Sequence, residues 1–295
     1  NRFLILAALC RGEGVLRHPL RAEDTDRLLA AIETLGGIVR PEGEVLRLDG
    51  GNGRFPGGGS IDLGAGGTPT RFMIAAAALA RLPVEIDGAP RMRVRPIDEG
   101  VHLVRQLGGH VEHLGVEGRL PVLVKPSAGL EGGALSVGKT ASSQFVSAVM
   151  LIAPFTRRGV VIQFTAPPTS ETYLDLTLVA LAQAGVRTTV ERSAAGGLLR
   201  IEIPSQTVGS FDVEIEADAS SAIYPAMLAA GQPGSRVEIN GLGRQSRQPD
   251  LSALFALQSF GAKVEATDRQ VAVSGPPRLH GVELDAAAFP DAAVG

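Results

Sequence analysis

Four stretches of this chain repeat one order of elements, and this repetition constrains the fold more than any other feature of the sequence. Each stretch ends an amphipathic helix at a glycine and continues as an alternating strand, a turn and a second alternating strand. The glycines are Gly36, Gly108, Gly185 and Gly261, spaced 72, 77 and 76 residues apart. This period is too long for short solenoid repeats. It predicts an α/β protein built from copies of one βαβαββ subdomain; the alternative is an ordinary α+β protein with coincidental helix–hairpin pairs.

A second set of segments recurs once in each of three successive repeats. The segments are TPTRFMIAAAALA, SSQFVSAVMLIAPF and DASSAIYPAMLAAG. Each begins with Ser, Thr or Asp, which are good helix N-caps, and continues as an almost wholly apolar run. A helix that is apolar on all sides is buried in a domain core. Several such helices with their N-termini in one cleft would form an anion-binding site, because those ends carry free N–H groups and partial positive charge.

Composition removes several classes of function. Of the 295 residues, 44% are hydrophobic and 20% are charged, enough to bury one large core or two smaller ones. The net charge of −3 gives no electrostatic footprint for nucleic acid. The single cysteine, Cys10, excludes a disulfide framework and a multi-cysteine zinc site, and we interpret it as a small buried hydrophobe. The five histidines lack metal-binding spacing, and no Gly-x-Ser-x-Gly elbow is present.

Short motifs offer groups that bind anions, and each also has a plainer structural explanation. The glycine-rich turn of DLGAGGTPTRF, residues 62 to 72, lacks the Gly-Lys-Ser/Thr ending of a P-loop, so it is either an anion cradle or only a tight turn. KTASSQF places two serine hydroxyls and a glutamine amide at a helix start, where capping alone explains one serine. In PRMRVRPIDEG we expect two arginines to face solvent and one to reach a phosphate or carboxylate. PPTSETYLDL, with Ser170 and Tyr173, is ambiguous alone.

Taken together, these motifs resemble the 5-enolpyruvylshikimate-3-phosphate (EPSP) synthase family, in the family's own order along the chain. The similar stretches are NRFLILAALCRGEGVLRHPLRAEDT, LGAGGTPTRF, PRMRVRPI, SSQFVSAVMLIAP, DASSAIYPAMLAA and FPDAAVG. The resemblance implies the family's enolpyruvyl transferase fold, two lobes of three βαβαββ units each around buried central helices, which agrees with the repeats above. It implies that residues 1–216 form the first lobe and that residues 217–295 are part of the second.

The resemblance also implies a reaction. The enolpyruvyl group of phosphoenolpyruvate passes to the 5-hydroxyl of shikimate 3-phosphate, and phosphate is released, in the shikimate pathway of aromatic amino acid biosynthesis. The chemistry needs an acid for the enol methylene carbon, a base for the hydroxyl proton and cationic groups for the phosphates and carboxylates. The resemblance implies no cofactor, no metal and a monomer. From the net charge and the short apolar runs we expect neither nucleic acid nor membrane as a partner, and we expect a cytoplasmic location.

The resemblance assigns roles position by position. Six residues are expected to bind shikimate 3-phosphate: Arg2 and Tyr173 at its carboxylate, Ser142, Ser143 and Ser170 at its 3-phosphate, and Gln144 at its ring. Phosphoenolpyruvate is expected to meet Gly67 and Arg95, together with Gln144. Asp291 matches the catalytic carboxylate that orients or deprotonates the 5-hydroxyl, although helix capping alone is its plainer explanation. Arg71 is interpreted as structural support.

Two positions depart from the family's pattern. The family usually has Asn where Ala65 stands, so one amide near phosphoenolpyruvate is lost, and backbone N–H groups would partly substitute for it. Pro249 stands before Asp250 where the family commonly has Gly. The family's Ser-Lys-Ser motif would precede Asn1, and its Lys-Glu motif and further phosphate-binding residues would follow Gly295. We therefore expect residues 1–295 on their own to be catalytically inactive.

Two other functions stay open at this point. A sister enolpyruvyl transferase that acts on UDP-N-acetylglucosamine shares the fold. That family typically carries a reactive Cys in a loop after the third helix start, where this chain has none, and Cys10 lies in an apolar helix. A non-enzymatic binding relative is the third candidate. It is favoured by Ala65 and the absent terminal motifs, and opposed by the SSQ motif, Tyr173 and Asp291.

Overall fold

A computed structural model describes residues 1–286 and residue 289. The chain divides into two compact units, Asn1–Glu214 and Ile215–Gly295. This division lies two residues before the boundary predicted from the sequence. Asp291, the predicted catalytic carboxylate, lies outside the described residues.

Unit 1 contains helices interspersed with single strands and hairpins. In chain order they are α1 (Arg2–Leu9), β1 (Arg11–Arg17), α2 (Glu23–Thr34), β2 (Ile38–Glu42), β3 (Val45–Gly51), β4 (Gly59–Asp62), α3 (Gly67–Ala76), β5 (Val84–Asp87), α4 (Pro90–Arg93), α5 (Asp98–Gln106), β6 (His110–His113), β7 (Val122–Lys125), β8 (Gly133–Val137), α6 (Ser143–Ile152), β9 (Val160–Phe164), α7 (Glu171–Gln183), β10 (Thr189–Arg192), β11 (Leu198–Ile203) and β12 (Phe211–Glu214).

The strands of unit 1, whose residues are all described, form three four-stranded sheets with one topology. Their orders are β12-β1-β3-β2, β4-β5-β7-β6 and β8-β9-β11-β10. In each sheet the first pair is parallel, and a hairpin joins antiparallel to it. β12 pairs with β1, with Phe211 opposite Gly14, so the last strand of the unit completes the first sheet. The predicted repetition of one α/β subdomain is therefore present.

The four repeat glycines have the backbone conformation that their position after a helix predicts. Their φ angles are +85°, +92°, +78° and +102° for Gly36, Gly108, Gly185 and Gly261. Residues other than glycine are strained in this left-handed region. Each glycine thus ends its helix and turns the chain into the following hairpin.

The core of unit 1 lies around α1, α3 and α6. Residues 4–9, 69–76 and 145–152 of these helices are all buried, and α6 packs against both α1 and α3. Their sequences are apolar on every side, which is why they occupy the centre rather than the surface. By contrast, α2 and α5 place acidic residues in their first turns and bury one face only.

Unit 2 contains one further helix–hairpin repeat among its described residues. Its elements are α8 (Ala219–Ala230), β13 (Arg236–Asn240), α9 (Leu251–Ala256), β14 (Lys263–Ala266) and β15 (Gln270–Ser274). The strands form an antiparallel sheet in the order β13-β15-β14.

The expectation that α8 is buried on all sides was wrong. Ala222, Ile223 and Ala226 are buried against the sheet and α9, whereas Tyr224 is 53% and Leu228 is 74% exposed. In unit 1, α6 has two other central helices as neighbours. In the described part of unit 2, α8 packs against one sheet and α9. These neighbours cover only one side of the helix, and apolar side chains on its other side stay exposed.

None of the helices in the described part of the chain has the length and apolarity that a membrane span requires.

Candidate functional site

The N-terminal ends of α1, α3, α6 and α7 meet in unit 1. Arg2, the first residue of α1, donates hydrogen bonds to α7. Gln144, in the first turn of α6, makes hydrogen bonds with Thr68 and Arg71 in the first turns of α3. The free N–H groups and partial positive charge of helix starts are thus concentrated in one region. Of the three buried-helix starts that the sequence singled out for an anion site, those of α3 and α6 lie here, whereas that of α8 belongs to unit 2.

Arg2 is held by neutral groups on three sides. Its Nε donates to Thr177 Oγ1 at 2.8 Å, and its Nη2 donates to the backbone carbonyl of Tyr173 at 3.1 Å. Its guanidinium lies over the Phe72 ring, 5.7 Å from the ring centroid. Burial lowers the pKa of Arg2 to about 10, and the nearby Tyr173 partly opposes that shift. Arg2 is therefore still a cation at neutral pH, and it lies beside Tyr173, its predicted partner residue.

Ser142, Ser143 and Gln144 form the start of α6. Ser142 is the N-cap, and its Oγ accepts a hydrogen bond from the backbone N–H of Gln144 at 3.3 Å. Ser143 is buried. The preceding loop is held from α5, because both carboxylate oxygens of Glu99 accept from the backbone N–H of Ala141, at 3.1 and 2.9 Å. Capping accounts for Ser142 but leaves the hydroxyl of Ser143 at the helix start for another partner.

Arg71 is the most deeply buried cation of the site, with 7% of its surface exposed. Its Nη1 donates to Gln144 Oε1 at 2.5 Å, and its guanidinium stacks 4.9 Å from the centroid of the Phe145 ring. Its Nε is buried without a hydrogen-bond partner. Burial, and secondly the neighbouring Arg95, lower the pKa of Arg71 to about 10. These contacts agree with the interpretation of Arg71 as structural support for the site.

Gly67 and Arg95, both predicted at phosphoenolpyruvate, lie in contact. A Cβ atom on Gly67 would come within 2.7 Å of Arg95 Nη1, so only glycine allows this approach. The neighbouring Gly66 faces the Asp24 carboxylate, whose pKa is raised by burial and by Glu23. Ala65 is exposed on the same turn. At this turn the backbone of Gly67 therefore packs directly against the guanidinium of Arg95.

Ser170 differs from the other predicted site residues in its backbone conformation. It precedes α7 with φ +50° and ψ +56°, in the left-handed region, and its side chain does not cap the helix. A serine in this conformation is uncommon, and such strain concentrates at functional sites. The geometry places the Ser170 hydroxyl at the helix start without using it for the helix.

Arg2 and Arg71 give the site positive charge that is at most weakly compensated, because only Glu99 acts on Arg71, and without a salt bridge. Within the described residues neither arginine forms a salt bridge; their partners are hydroxyl, amide, carbonyl and aromatic groups. A buried charge without a counter-ion costs free energy, which a bound anion would offset. Two such cations beside four helix starts suit a ligand that carries several negative charges.

Three residues in this region were missed by the sequence reasoning: Phe72, Glu99 and Thr177. Thr177 is a hydroxyl residue on the buried face of α7, one turn after Tyr173, and this polar residue at a core position was a usable signal. Phe72 and Glu99 had no local signal, because their partners lie 70 and 42 residues away along the chain.

The sequence matches the family described as EPSP synthase (3-phosphoshikimate 1-carboxyvinyltransferase) over residues 1–294. A 3-phosphoshikimate 1-carboxyvinyltransferase of Cellvibrio japonicus (strain Ueda107) is 36% identical over 300 residues, covering 100% of this chain and 68% of that protein. The enzyme of the same name from Methanoculleus marisnigri is 35% identical over 294 residues, covering 99% of this chain and 68% of that protein.

A solved structure shares the fold. An EPSP synthase from Acinetobacter baumannii, determined at 2.37 Å, superposes with a TM-score of 0.76 at 20% identity, covering 99% of this chain and 65% of that chain. This chain therefore spans about two thirds of the length of the relatives that it matches. The fold class, the family and the transferase function predicted from the sequence are confirmed. On the match over residues 1–294 and the identity to its relatives, the chain belongs to the EPSP synthase family.

Proposed function

We propose that this chain serves the transfer of the enolpyruvyl group of phosphoenolpyruvate to the 5-hydroxyl of shikimate 3-phosphate, with release of phosphate. The observation that carries the proposal is a pair of arginines that form no salt bridge within the described residues, half-buried Arg2 and buried Arg71, at the meeting point of four helix starts. The printed name of the relatives, 3-phosphoshikimate 1-carboxyvinyltransferase, supplies the reaction.

Shikimate 3-phosphate carries a carboxylate and a phosphate, and the site offers groups suited to each. Arg2 would bind the carboxylate through guanidinium hydrogens that the protein leaves unused. The phosphate would lie at the start of α6, where backbone N–H groups, Ser142 and Ser143 are gathered. Ser170, at the start of α7, would donate from a third direction. Gln144, which lies on α6 and is hydrogen-bonded to α3, would contact the ring.

Phosphoenolpyruvate would lie on the Gly67 side of the site. Arg95 supplies an exposed guanidinium against the Gly67 backbone. Gln144 would contact both ligands, and its second N–H would donate to one of them, because its first N–H is used by Thr68.

The reaction itself needs a balanced exchange of bonds and protons. The 5-oxygen of shikimate 3-phosphate bonds to C2 of phosphoenolpyruvate, and the methylene carbon gains a proton. The C2–O bond to phosphate then breaks, and the methyl group loses a proton, which restores the vinyl group. Asp291 is proposed to receive or orient the hydroxyl proton, and the guanidinium groups to offset the charge of the departing phosphate.

Titration calorimetry with shikimate 3-phosphate tests the proposal on the chain as it stands. We expect saturable binding with one site per chain, weakened by at least about tenfold in Arg2→Ala and in Ser143→Ala, because each removes a charge-assisted hydrogen bond. Ser136→Ala, on the exposed side of β8, is the control and should bind as the parent does. Absence of binding by the parent chain contradicts the proposal.

The same titration separates the sister family. Tighter binding of UDP-N-acetylglucosamine than of shikimate 3-phosphate would favour the enolpyruvyl transferase that acts on the nucleotide sugar. We further propose that the chain is a monomer in the cytoplasm; sedimentation velocity tests the first statement and cell fractionation the second.

A further inference from the structure

We propose that Thr177 and Phe72 are positioning residues that hold the guanidinium of Arg2 for end-on binding of a ligand carboxylate. The inference rests on the proposed function, because it takes the shikimate 3-phosphate carboxylate to be the group that Arg2 binds. Beyond the proposed function, it specifies the edge of the Arg2 guanidinium that binds the carboxylate. It also names the residues on α7 and α3 that leave this edge available.

The two hydrogen bonds of Arg2 occupy one edge of its guanidinium. The Nε and Nη2 atoms form the side edge of this planar group, and they donate to Thr177 Oγ1 and to the carbonyl of Tyr173. Within the described residues, Nη1 has no hydrogen-bond acceptor. The end edge, formed by Nη1 and the second hydrogen of Nη2, therefore remains for a carboxylate, which accepts two parallel bonds from such an edge.

Thr177 carries a hydroxyl in a place where an apolar side chain would be expected. It is fully buried in α7 next to Ser147 of α6, which is also fully buried. A buried hydroxyl is costly unless its hydrogen bonds are made. Here the single hydroxyl hydrogen has two acceptors within 2.9 Å, Ser147 Oγ and the Tyr173 carbonyl, while the oxygen accepts from Arg2. The Thr177 hydroxyl thus makes hydrogen bonds that valine, a residue of similar shape, cannot make.

Phe72 limits the motion that the two hydrogen bonds leave to Arg2, namely rotation of the guanidinium out of its plane. Its ring, buried in α3, lies beneath the guanidinium at 5.7 Å. A ring face attracts a cation, and more strongly where water is excluded. The side edge and one face of Arg2 are consequently held by α7 and α3, two helices separate from its own.

The test compares two substitutions at one position. Thr177→Val keeps the shape and removes the acceptor, whereas Thr177→Ser keeps the acceptor. By calorimetry we expect Thr177→Val to bind shikimate 3-phosphate about tenfold more weakly, since a hydrogen bond to a charged group is lost, and Thr177→Ser to bind within about twofold of the parent. The methyl ester of shikimate 3-phosphate, which lacks the carboxylate charge, should bind Thr177→Val and the parent equally.

Phe72→Leu provides the second arm, with Phe55→Leu as its matched control. Both phenylalanines are almost completely buried, and among the described residues only Phe72 makes a cation–π contact with Arg2. We expect Phe72→Leu to weaken binding of shikimate 3-phosphate about threefold to tenfold, and to have no such effect in an Arg2→Ala background. Thermal unfolding of every variant separates loss of binding from loss of folding, and Phe72→Leu carries the test if Thr177→Val does not fold.

The outcomes distinguish this inference from the proposed function. If Arg2→Ala binds more weakly than the parent, while Thr177→Val and Phe72→Leu bind as tightly as the parent, the positioning role is overturned and the proposed function stands. Equal weakening for the acid and its methyl ester also overturns it, because the effect is then independent of the carboxylate. If the parent does not bind shikimate 3-phosphate, both proposals fall.

Discussion

Arg71 Nη1 donates a hydrogen bond to Gln144 Oε1 across 2.5 Å, joining the N-terminal halves of two central helices, α3 and α6. The same amide donates through Nε2 to Thr68 Oγ1 at 3.0 Å. Because one partner is a donor and the other an acceptor, the amide has one orientation, with its second N–H free for a ligand. A buried cation thus fixes the direction of a side chain that is proposed to touch both substrates.

Arg71→Met tests whether this cation serves binding more than folding. Removing a buried charge that lacks a counter-ion should leave the free energy of unfolding within about 1 kcal/mol of the parent or raise it. The affinity for shikimate 3-phosphate should fall because Gln144 is then free to turn. Urea unfolding and calorimetry measure the two quantities, with exposed Arg187→Met as the control. A loss of more than about 3 kcal/mol in stability would show that Arg71 is needed mainly for the fold.

Gly67→Ala should separate ligand binding from stability in a different way. The added Cβ would meet Arg95 Nη1 at 2.7 Å, and the exposed Arg95 side chain is free to move away. We expect little change in the thermal midpoint and about a tenfold loss of affinity for phosphoenolpyruvate, since Arg95 is displaced from its place against the Gly67 backbone. Gly209→Ala, which meets nothing within 4 Å, is the control. Unchanged affinity for phosphoenolpyruvate would argue against a role for this contact.

Asp87 should make stability depend on acid pH. Its carboxylate accepts from Arg93 Nε at 2.9 Å and from the Gly88 N–H at 2.8 Å, and the Arg93 hydrogen bonds hold the pKa of Asp87 below 3.8. A carboxyl group whose pKa is lowered by folding stabilises the fold at pH values above its pKa in the unfolded chain. This contribution is lost as the pH falls through the pKa of the folded state.

Asp87→Asn should therefore lower the free energy of unfolding by about 1 kcal/mol at pH 6, a modest amount because Arg93 is half exposed. The difference from the parent should shrink below pH 3.8. Urea unfolding across this range measures it, with Asp26→Asn, from the exposed Arg21–Asp26 pair, for comparison. If the difference in free energy of unfolding between Asp87→Asn and the parent does not change with pH, the ionised Asp87 carboxylate is not what stabilises the fold.

The Cys10 thiol should be unreactive while the protein is folded. Cys10 is fully buried at the end of α1, its Sγ donates to the Ala7 carbonyl at 3.3 Å, and burial raises its pKa to about 11. The thiolate that reacts with disulfide reagents is then scarce at pH 8. Titration with a coloured aromatic disulfide should show no release of thiolate in buffer and one equivalent in 6 M guanidinium (roughly the concentration that unfolds most domains). Rapid reaction in buffer would place Cys10 at the surface.

The repeating architecture was predictable from the sequence alone, because one order of elements occurs four times along the chain. Glycine alone adopts the left-handed conformation after a helix without strain, so Gly36, Gly108, Gly185 and Gly261 locate the helix ends. Alternating and continuous apolar runs separate hairpins from buried helices, because each pattern matches one geometry. The starts of those helices, and with them Ser142, Ser143 and Gln144, were predictable for the same reason.

Tertiary structure decided what joins distant parts of the chain. The pairing of β12 with β1 closes a sheet over almost 200 residues, and neither strand carries a signal for the other. Arg2, Phe72 and Thr177 meet because three separate helices pack together. The exposure of Tyr224 and Leu228 on α8 likewise depends on which neighbours unit 2 supplies. Local sequence determines where helices and strands begin and end, whereas contacts between them depend on packing, which no short stretch of sequence contains.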